Sequence, residues 1–315
     1  MLRHPALLIP ALFAALLASV VISVCIGVTG FDLLTLDGET MHKILFDIRL
    51  PRVLGACLVG LGLAAAGCAM QGLFRNPMAD PYILGTSAGG SLGAACAIAF
   101  FGGMFLPAFA FIGSLISTTL VYVISKRNGR MSVETVLLSG VAISLFLSAL
   151  LSFIMYMSGN SLQKIMFWTM GGLWNMSWSQ VMTGLLILIG CAVLFFFSRD
   201  LNILTLGEED AIHLGVNTEW LKKILLFVSA FITAIAVSIS GCIGFVGLII
   251  PHIMRTVTGP NHRILLPASM LAGALLMIWA DTVARTLPTE IPVGIITAFL
   301  GAPFFIYLLR RRTKI

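Results

Sequence analysis

Ten apolar runs, most of them close to twenty residues long, follow one another along this chain. They fall at about 5–28, 53–73, 82–101, 104–125, 135–157, 179–198, 221–240, 242–258, 264–284 and 291–309. A helix rises about 1.5 Å per residue, so about 20 apolar residues cross the roughly 30 Å hydrocarbon core of a bilayer. Of the 315 residues, 59% are hydrophobic and 10% are charged, whereas an ordinary soluble domain is about 25% charged. A soluble protein of this size needs a polar shell that this composition does not supply. Disorder is excluded as well, because it requires low hydrophobicity and high charge. The expectation is an all-α polytopic membrane protein, one transmembrane domain over 1–315, with no length left for a soluble catalytic domain. The run starting at Pro5 is too long for the apolar part of a signal peptide and is read as the first span.

An even number of spans puts both termini on one side, and the basic residues select it. Arg3, Arg75, Lys126, Arg127, Arg130, Arg199, Lys222, Lys223, Arg255, Arg263, Arg310, Arg311, Arg312 and Lys314 fall on the terminal side; Lys43, Arg49, Arg52, Lys164 and Arg285 fall on the other. Fourteen against five places both termini in the cytoplasm. The net charge of +6 therefore reports topology, not nucleic-acid binding. Two segments are too polar to be embedded. The inner one, about 199–223, carries Glu208, Glu209 and Asp210 at a helix start and reads as short helices at the membrane face. The outer one, about 158–180, has Trp168, Trp174 and Trp178, which suit the lipid–water interface.

Motifs for chemistry are scarce. The chain has no G-x-x-x-x-G-K-[ST] and no H-E-x-x-H. No ionisable residue lies near a span centre, which weighs against ion-coupled secondary transport. The six cysteines all lie in apolar runs and read as small hydrophobes, with no metal site. Gly85-Thr86-Ser87-Ala88-Gly89 matches the G-x-S-x-G of serine hydrolases, with His213 or His252 as a base. No strand precedes it, however, and Gly85, Gly89 and Gly93 repeat at the spacing of a helix-packing stripe, which is the preferred reading. Gly241, Gly244 and Gly247 before Pro251 and His252 mark either a broken helix or a tight turn.

Two features exceed what membrane residence demands. Arg49-Leu50-Pro51-Arg52 sits just outside the second run and Arg285 just outside the ninth, on the face where basic residues are rare. Guanidinium suits bidentate pairing with carboxylates. Docking of an acidic partner, lipid-headgroup anchoring and pairing with Asp47 all remain open on these residues alone. The second feature is Gln71-Gly72-Leu73-Phe74-Arg75-Asn76-Pro77-Met78-Ala79-Asp80-Pro81, in which two prolines four apart forbid a continuous helix. It is either an ordinary loop or a rigid constriction at a pathway mouth.

These residues carry a resemblance. RLPR, then QGLFRNPMADPYILGTSAGGSLG, then GFVGLIIPHIMR, NHRILLPASMLAGALLMIWADTVART and EIPVGIITAFLGAPFFIYLL resemble, in order and over nearly the whole chain, the permease subunits of binding-protein-dependent ABC importers for iron chelates and vitamin B12, the FecCD family. The resemblance implies the BtuC-like type II importer fold of ten transmembrane helices with cytoplasmic termini in a prokaryotic inner or plasma membrane. It implies a second permease copy, as a homodimer, two separate cytoplasmic ATPases that hold ATP and magnesium, and an extracytoplasmic substrate-binding protein. No cofactor, metal or catalytic residue is implied in this chain.

Position by position, it implies that Arg49, Arg52 and Arg285 dock glutamates of the binding protein. Asn76, Pro77 and Met78 would form one part of the cytoplasmic gate and Ser132 and Val133 another. Val133 departs from the small hydroxyl residue of the family pattern and would act as an apolar plug. Glu208, Glu209, Asp210, Ala211, His213, Leu214 and Gly215 would form the ATPase-coupling element. The implied cargo is an iron chelate, siderophore or haem, with cobalamin or molybdate and tungstate as alternatives. A short echo, Ala66-Gly67-Cys68 against Ser240-Gly241-Cys242, agrees with an inverted repeat offset by five spans.

Overall fold

The computed structural model describes residues 5–27, 38–127 and 130–312. Arg3 and Lys314, counted above for orientation, and Val28, the edge of the first run, lie outside the described residues. Helix follows each apolar run. The order is α1 (Pro5–Cys25), α2 (Gly38–Lys43), α3 (Leu50–Leu73), α4 (Thr86–Phe101), α5 (Leu106–Ser125), α6 (Val133–Met157), α7 (Leu162–Thr169), α8 (Trp178–Gly184), α9 (Leu186–Phe196), α10 (Ser198–Leu204), α11 (Glu208–His213), α12 (Thr218–Ser240), α13 (Val246–Thr258), α14 (His262–Thr286) and α15 (Val293–Arg312). A two-residue ladder, β1 (Lys126–Arg127) with β2 (Arg130–Met131), closes the turn between α5 and α6. Seven helical stretches are long and apolar enough to cross a membrane; α4, α13 and Val293–Tyr307 of α15 are shorter apolar helices.

The centre of the molecule is α3, whose best apolar window is 83% buried, flanked by α12 at 72%. Small residues make this possible. A Cβ on Gly60 would sit 2.2 Å from the carbonyl oxygen of Gly273 in α14, and one on Gly67 would sit 2.0 Å from that of Gly247 in α13. Backbones that close are the small-residue packing of membrane helices. The rim is different. The windows of α1 and α6 are each 17% buried, and α6 turns Leu138, Leu145 and Phe153 outward. Such a continuous apolar exterior suits lipid rather than water.

Arg49-Leu50-Pro51-Arg52 lies within one continuous helical stretch from Gly38 to Leu73, in which Ile44–Arg49 form a π-helical turn before Pro51. At 36 residues the stretch is about 54 Å long, more than a bilayer core requires, so it extends beyond the second apolar run. Proline lacks the N–H for the next helical bond, and its ring crowds the carbonyl four residues back. The wider π turn absorbs both problems without ending the helix. Pairing of these arginines with Asp47 is not seen; the side chain of Asp47 is exposed.

Candidate functional site

Two non-helical breaks meet in the middle of the fold. The first follows α3. Pro77 and Pro81 stop the helix, and the chain turns on itself: Asn76 Oδ1 accepts from the Met78 N–H at 3.0 Å and the Asn76 carbonyl from the Ala79 N–H at 3.0 Å. Asp80 then caps a 3-10 turn, Pro81–Leu84, accepting from the Tyr82 N–H at 2.8 Å. The second break is Gly241–Phe245, between α12 and α13. It ends at Phe245, whose φ of 68° is left-handed, a conformation that bulky residues adopt only under constraint. A Cβ on Gly301 would fall 2.2 Å from the Phe245 ring, so α15 holds that ring in place.

Tyr82 joins the breaks, its hydroxyl donating to the Ile243 carbonyl at 3.1 Å. Cys242 Sγ lies 3.1 Å from the hydroxyls of both Ser87 and Ser91 on α4, and Gln71 Nε2 donates to the Leu248 carbonyl at 3.0 Å. Backbone left without helical bonds is tolerated where it is buried in protein or lines a cavity; here Tyr82 supplies a donor to the second break and Gln71 to the start of α13 just beyond it. Tyr82 was not singled out from sequence, and Gln71 and Cys242 entered only as members of short motifs, without these partners. The cysteine was read as a small hydrophobe, and Ser87 as part of a packing stripe. Ser87 pairs with that cysteine, while Gly89 and Gly93 lie against the carbonyls of Gly113 and Phe109, where added Cβ atoms would come within 2.3 and 2.1 Å. Gly85 turns the chain into α4 at φ 72°.

At one end of the bundle lies the segment 198–223. Three acids, Glu208, Glu209 and Asp210, open α11, as the helix dipole favours. Gly215 at φ 84° ends it, and the Val216 N–H returns to the Ala211 carbonyl at 3.0 Å, so the turn is closed tightly. Ala211 is fully buried and anchors the knob, while Glu209, Ile212, His213 and Leu214 point outward. Beside it is an open groove of about 680 Å³ lined by Glu208, Glu209, Ile212, Gly215 and Glu219. Ser132 is exposed at the N-cap of α6, and Val133 packs on the main core. Between the knob and α6 stands a buried cation. Lys222 Nζ lies 2.5 Å from Glu208 Oε1 and 2.9 Å from Glu219 Oε1.

The other end carries the three arginines, and all are buried rather than free: Arg49 is 8%, Arg52 9% and Arg285 7% exposed. Two of them satisfy the end of α1. Arg49 Nη1 donates to the Val24 and Cys25 carbonyls at 3.2 Å each, and Arg285 Nη2 donates to the Ser23 carbonyl and, at 2.8 Å, to its hydroxyl. Helix C-termini leave carbonyls without partners, and cations there are doubly favourable. Arg52 grips Asp281 through Nε and Nη2 at 2.8–3.0 Å, and Nη2 also lies 2.6 Å from Glu290. Arg285 Nε is 3.9 Å from Asp281, beyond hydrogen-bond distance. Two guanidiniums thus face Asp281, one of them also holds Glu290, and Arg49 bonds only backbone carbonyls. Asp281 and Glu290, 229 and 238 positions from Arg52, were not legible as its partners in the sequence.

With this geometry in view, likeness to known proteins is decisive. The sequence profile of the FecCD transport family matches residues 8–311. The cobalamin import system permease protein BtuC of Halobacterium salinarum is 49% identical over 278 residues, covering 87% of this chain and 75% of that one. The hemin transport system permease protein HmuU of Yersinia pestis is 42% identical over 291 residues, covering 89% and 87%. The molybdate import system permease protein MolB of Haemophilus influenzae is 40% identical over 282 residues, covering 86% and 82%. A solved inward-facing conformation of a metal-chelate type ABC transporter superposes with a TM-score of 0.89 at 37% identity, covering 96% of this chain and 98% of that one. Apolar helices around two paired breaks, capped by an ionic cluster at each end, are therefore the architecture of a multi-span plasma-membrane permease, and the chain belongs to the FecCD transport family.

Proposed function

We propose that the chain is the pore-forming subunit of an ATP-driven importer of metal chelates. The observation that carries this reading is the family match over residues 8–311. The cargo read from the sequence is an iron chelate, a siderophore or haem. Cobalamin is the second reading, favoured by the 49% identity to the cobalamin permease. A binding protein selects the cargo, which explains how similar permeases serve different molecules.

In this reading the chain crosses the membrane ten times with both termini in the cytoplasm. The three short helices need their breaks to do so. Thirteen residues of α13 span about 20 Å, so the extended stretch before it completes the crossing. Two copies enclose the pathway, with the joined breaks beside it and Asn76, Pro77, Met78, Ser132 and Val133 as its cytoplasmic gate. Two separate ATPases, holding ATP and magnesium, take the knob at Glu208–Gly215 into a surface cleft. ATP closes the ATPases and turns the pathway outward beneath the binding protein; hydrolysis resets it. The permease stabilises the two states differently and breaks no covalent bond. The excess of one positive charge at Arg49, Arg52 and Arg285 supports docking of carboxylates there.

The test is reconstitution in proteoliposomes with the ATPase and binding protein encoded beside this gene. ATP-dependent accumulation of haemin or cyanocobalamin is expected. Accumulation that proceeds without the ATPase, or follows an ion gradient instead, refutes the reading.

A further inference from the structure

We propose that Lys222 is a positioning residue that fastens the coupling knob to the cytoplasmic gate, so that α11 and the start of α6 move as one piece; this rests on the importer reading above. The geometry is specific to one residue. Lys222 lies in the second turn of α12 and is 3% exposed. Its ammonium holds Glu208, the first residue of α11, and Glu219 on its own helix. The same pair captures both backbone polar groups of Met131: Lys222 Nζ donates to the carbonyl at 3.4 Å, and Glu219 Oε2 accepts from the N–H at 3.0 Å. Met131 ends the β1–β2 ladder, is 5% exposed, and is followed directly by Ser132 and Val133. A chain of contacts therefore runs from α11 through one ammonium to the residue before the gate.

The chemistry fits a mechanical link better than a folding need. A buried cation requires anionic partners, and here both are present. Both carboxylates are about two-fifths exposed, so without the lysine they rehydrate and the fold survives. What disappears is the only charged tie among the described residues between α11 and the Met131 backbone. Coupling of two sites needs such a contiguous element with defined arrangements.

The experiment uses the whole transporter in nanodiscs, permease with its ATPase, and Glu134→Cys as a reporter. Glu134 is exposed in the first turn of α6. Its reaction rate with a fluorescent maleimide, counted above the native cysteines, should change at least about threefold when ATP shifts the population between two states. Adding Lys222→Met should abolish that change while the ATPase still co-purifies, and Lys222→Arg should restore most of it. An unaltered ATP response in Lys222→Met overturns the proposal. Should that variant fail to fold, Glu208→Gln, which frees α11 from the Lys222 ammonium, must lose the response too while the ATPase still co-purifies; if it keeps the response, the proposal also falls. A parent chain that co-purifies yet shows no ATP response at Glu134→Cys overturns the link alone. A parent that does not co-purify with the ATPase overturns the importer reading, and the link with it.

Discussion

The two ionic clusters at opposite ends of the bundle are built on opposite balances. At the α1 end, three guanidiniums gather around only two carboxylates, Asp281 and Glu290, with Arg49 held by backbone carbonyls; at the α11 end, one ammonium serves Glu208 and Glu219. Their burial differs as well. Asp281 is 1% exposed and locked by a forked pair, whereas the carboxylates around Lys222 reach solvent. The first cluster ties α1, α3 and α14 together and keeps spare donor capacity in Arg285 Nε. The second ties α11 and β2 to α12, just ahead of α6, and keeps spare acceptor capacity. A cluster that holds a fully buried anion is a structural clasp, and one whose anions all reach solvent is a joint.

The sharpest way to break this contrast is to remove the buried anion. Asp281→Ala leaves Arg52 with only the partly exposed Glu290 and Arg285 with only the polar atoms of Ser23, and removing one partner of a buried pair destabilises by about 3–5 kcal/mol. Thermal unfolding in detergent should show a drop of that size or failure to accumulate. A loss comparable to an exposed pair would show that water enters the α1 end and that the clasp is a joint too.

Asp80 sharpens the comparison as the third case, a carboxylate with no ion pair among the described residues. It lies in the turn outside the membrane-spanning helices, and desolvation raises its pKa to about 6 against one lowering contact, the Tyr82 N–H. The folded pKa lies above the unfolded one, so the folded state holds the proton more tightly. Stability is then greatest at acid pH and is lost as pH rises from about 4 through about 6, by about 1–2 kcal/mol after allowing for partial solvent contact. Asp80→Asn keeps an oxygen for the Tyr82 N–H and should flatten the profile. A wild-type profile already flat over that range would remove Asp80 from the set.

Lys222→Met should change unfolding by no more than about 1 kcal/mol, since its partners are exposed enough for solvent to screen the pairs. A loss as large as that of Asp281→Ala would make the two clusters alike.

How far the sequence reached follows the range of each interaction. The apolar runs placed the helices because bilayer length is a local property of the chain. The breaks were visible at Pro77, Pro81, Gly241 and Gly244 for the same reason, since backbone constraints act on immediate neighbours. What escaped was long-range or three-dimensional. Arg52 meets Asp281 across 229 positions, and Arg285 meets Ser23 across 262. Lys222 entered only as a topological charge, because nothing nearby in sequence marks it as buried. The π turn hid Pro51 inside a helix that proline rules end early. Cys242 looked like a small apolar residue until the fold set Ser87 and Ser91 beside it.

The smallest effect is the most informative about docking. Glu290 is 40% exposed and lies 2.6 Å from Arg52 Nη2, where a carboxylate from a partner would have to bind. If the arginines receive glutamates of the binding protein, Glu290 competes with them from within the chain. Glu290→Ala should then tighten binding of the unloaded binding protein to the transporter, by at most about fivefold, because an exposed ion pair is worth about 0–1 kcal/mol. The gain should shrink with added salt, which screens exposed charges over about 10 Å at 0.1 M. Surface plasmon resonance on nanodisc-held transporter measures both. Weaker binding would mean that Glu290 itself contacts the partner and that the arginines serve only as the clasp on α1 and α14.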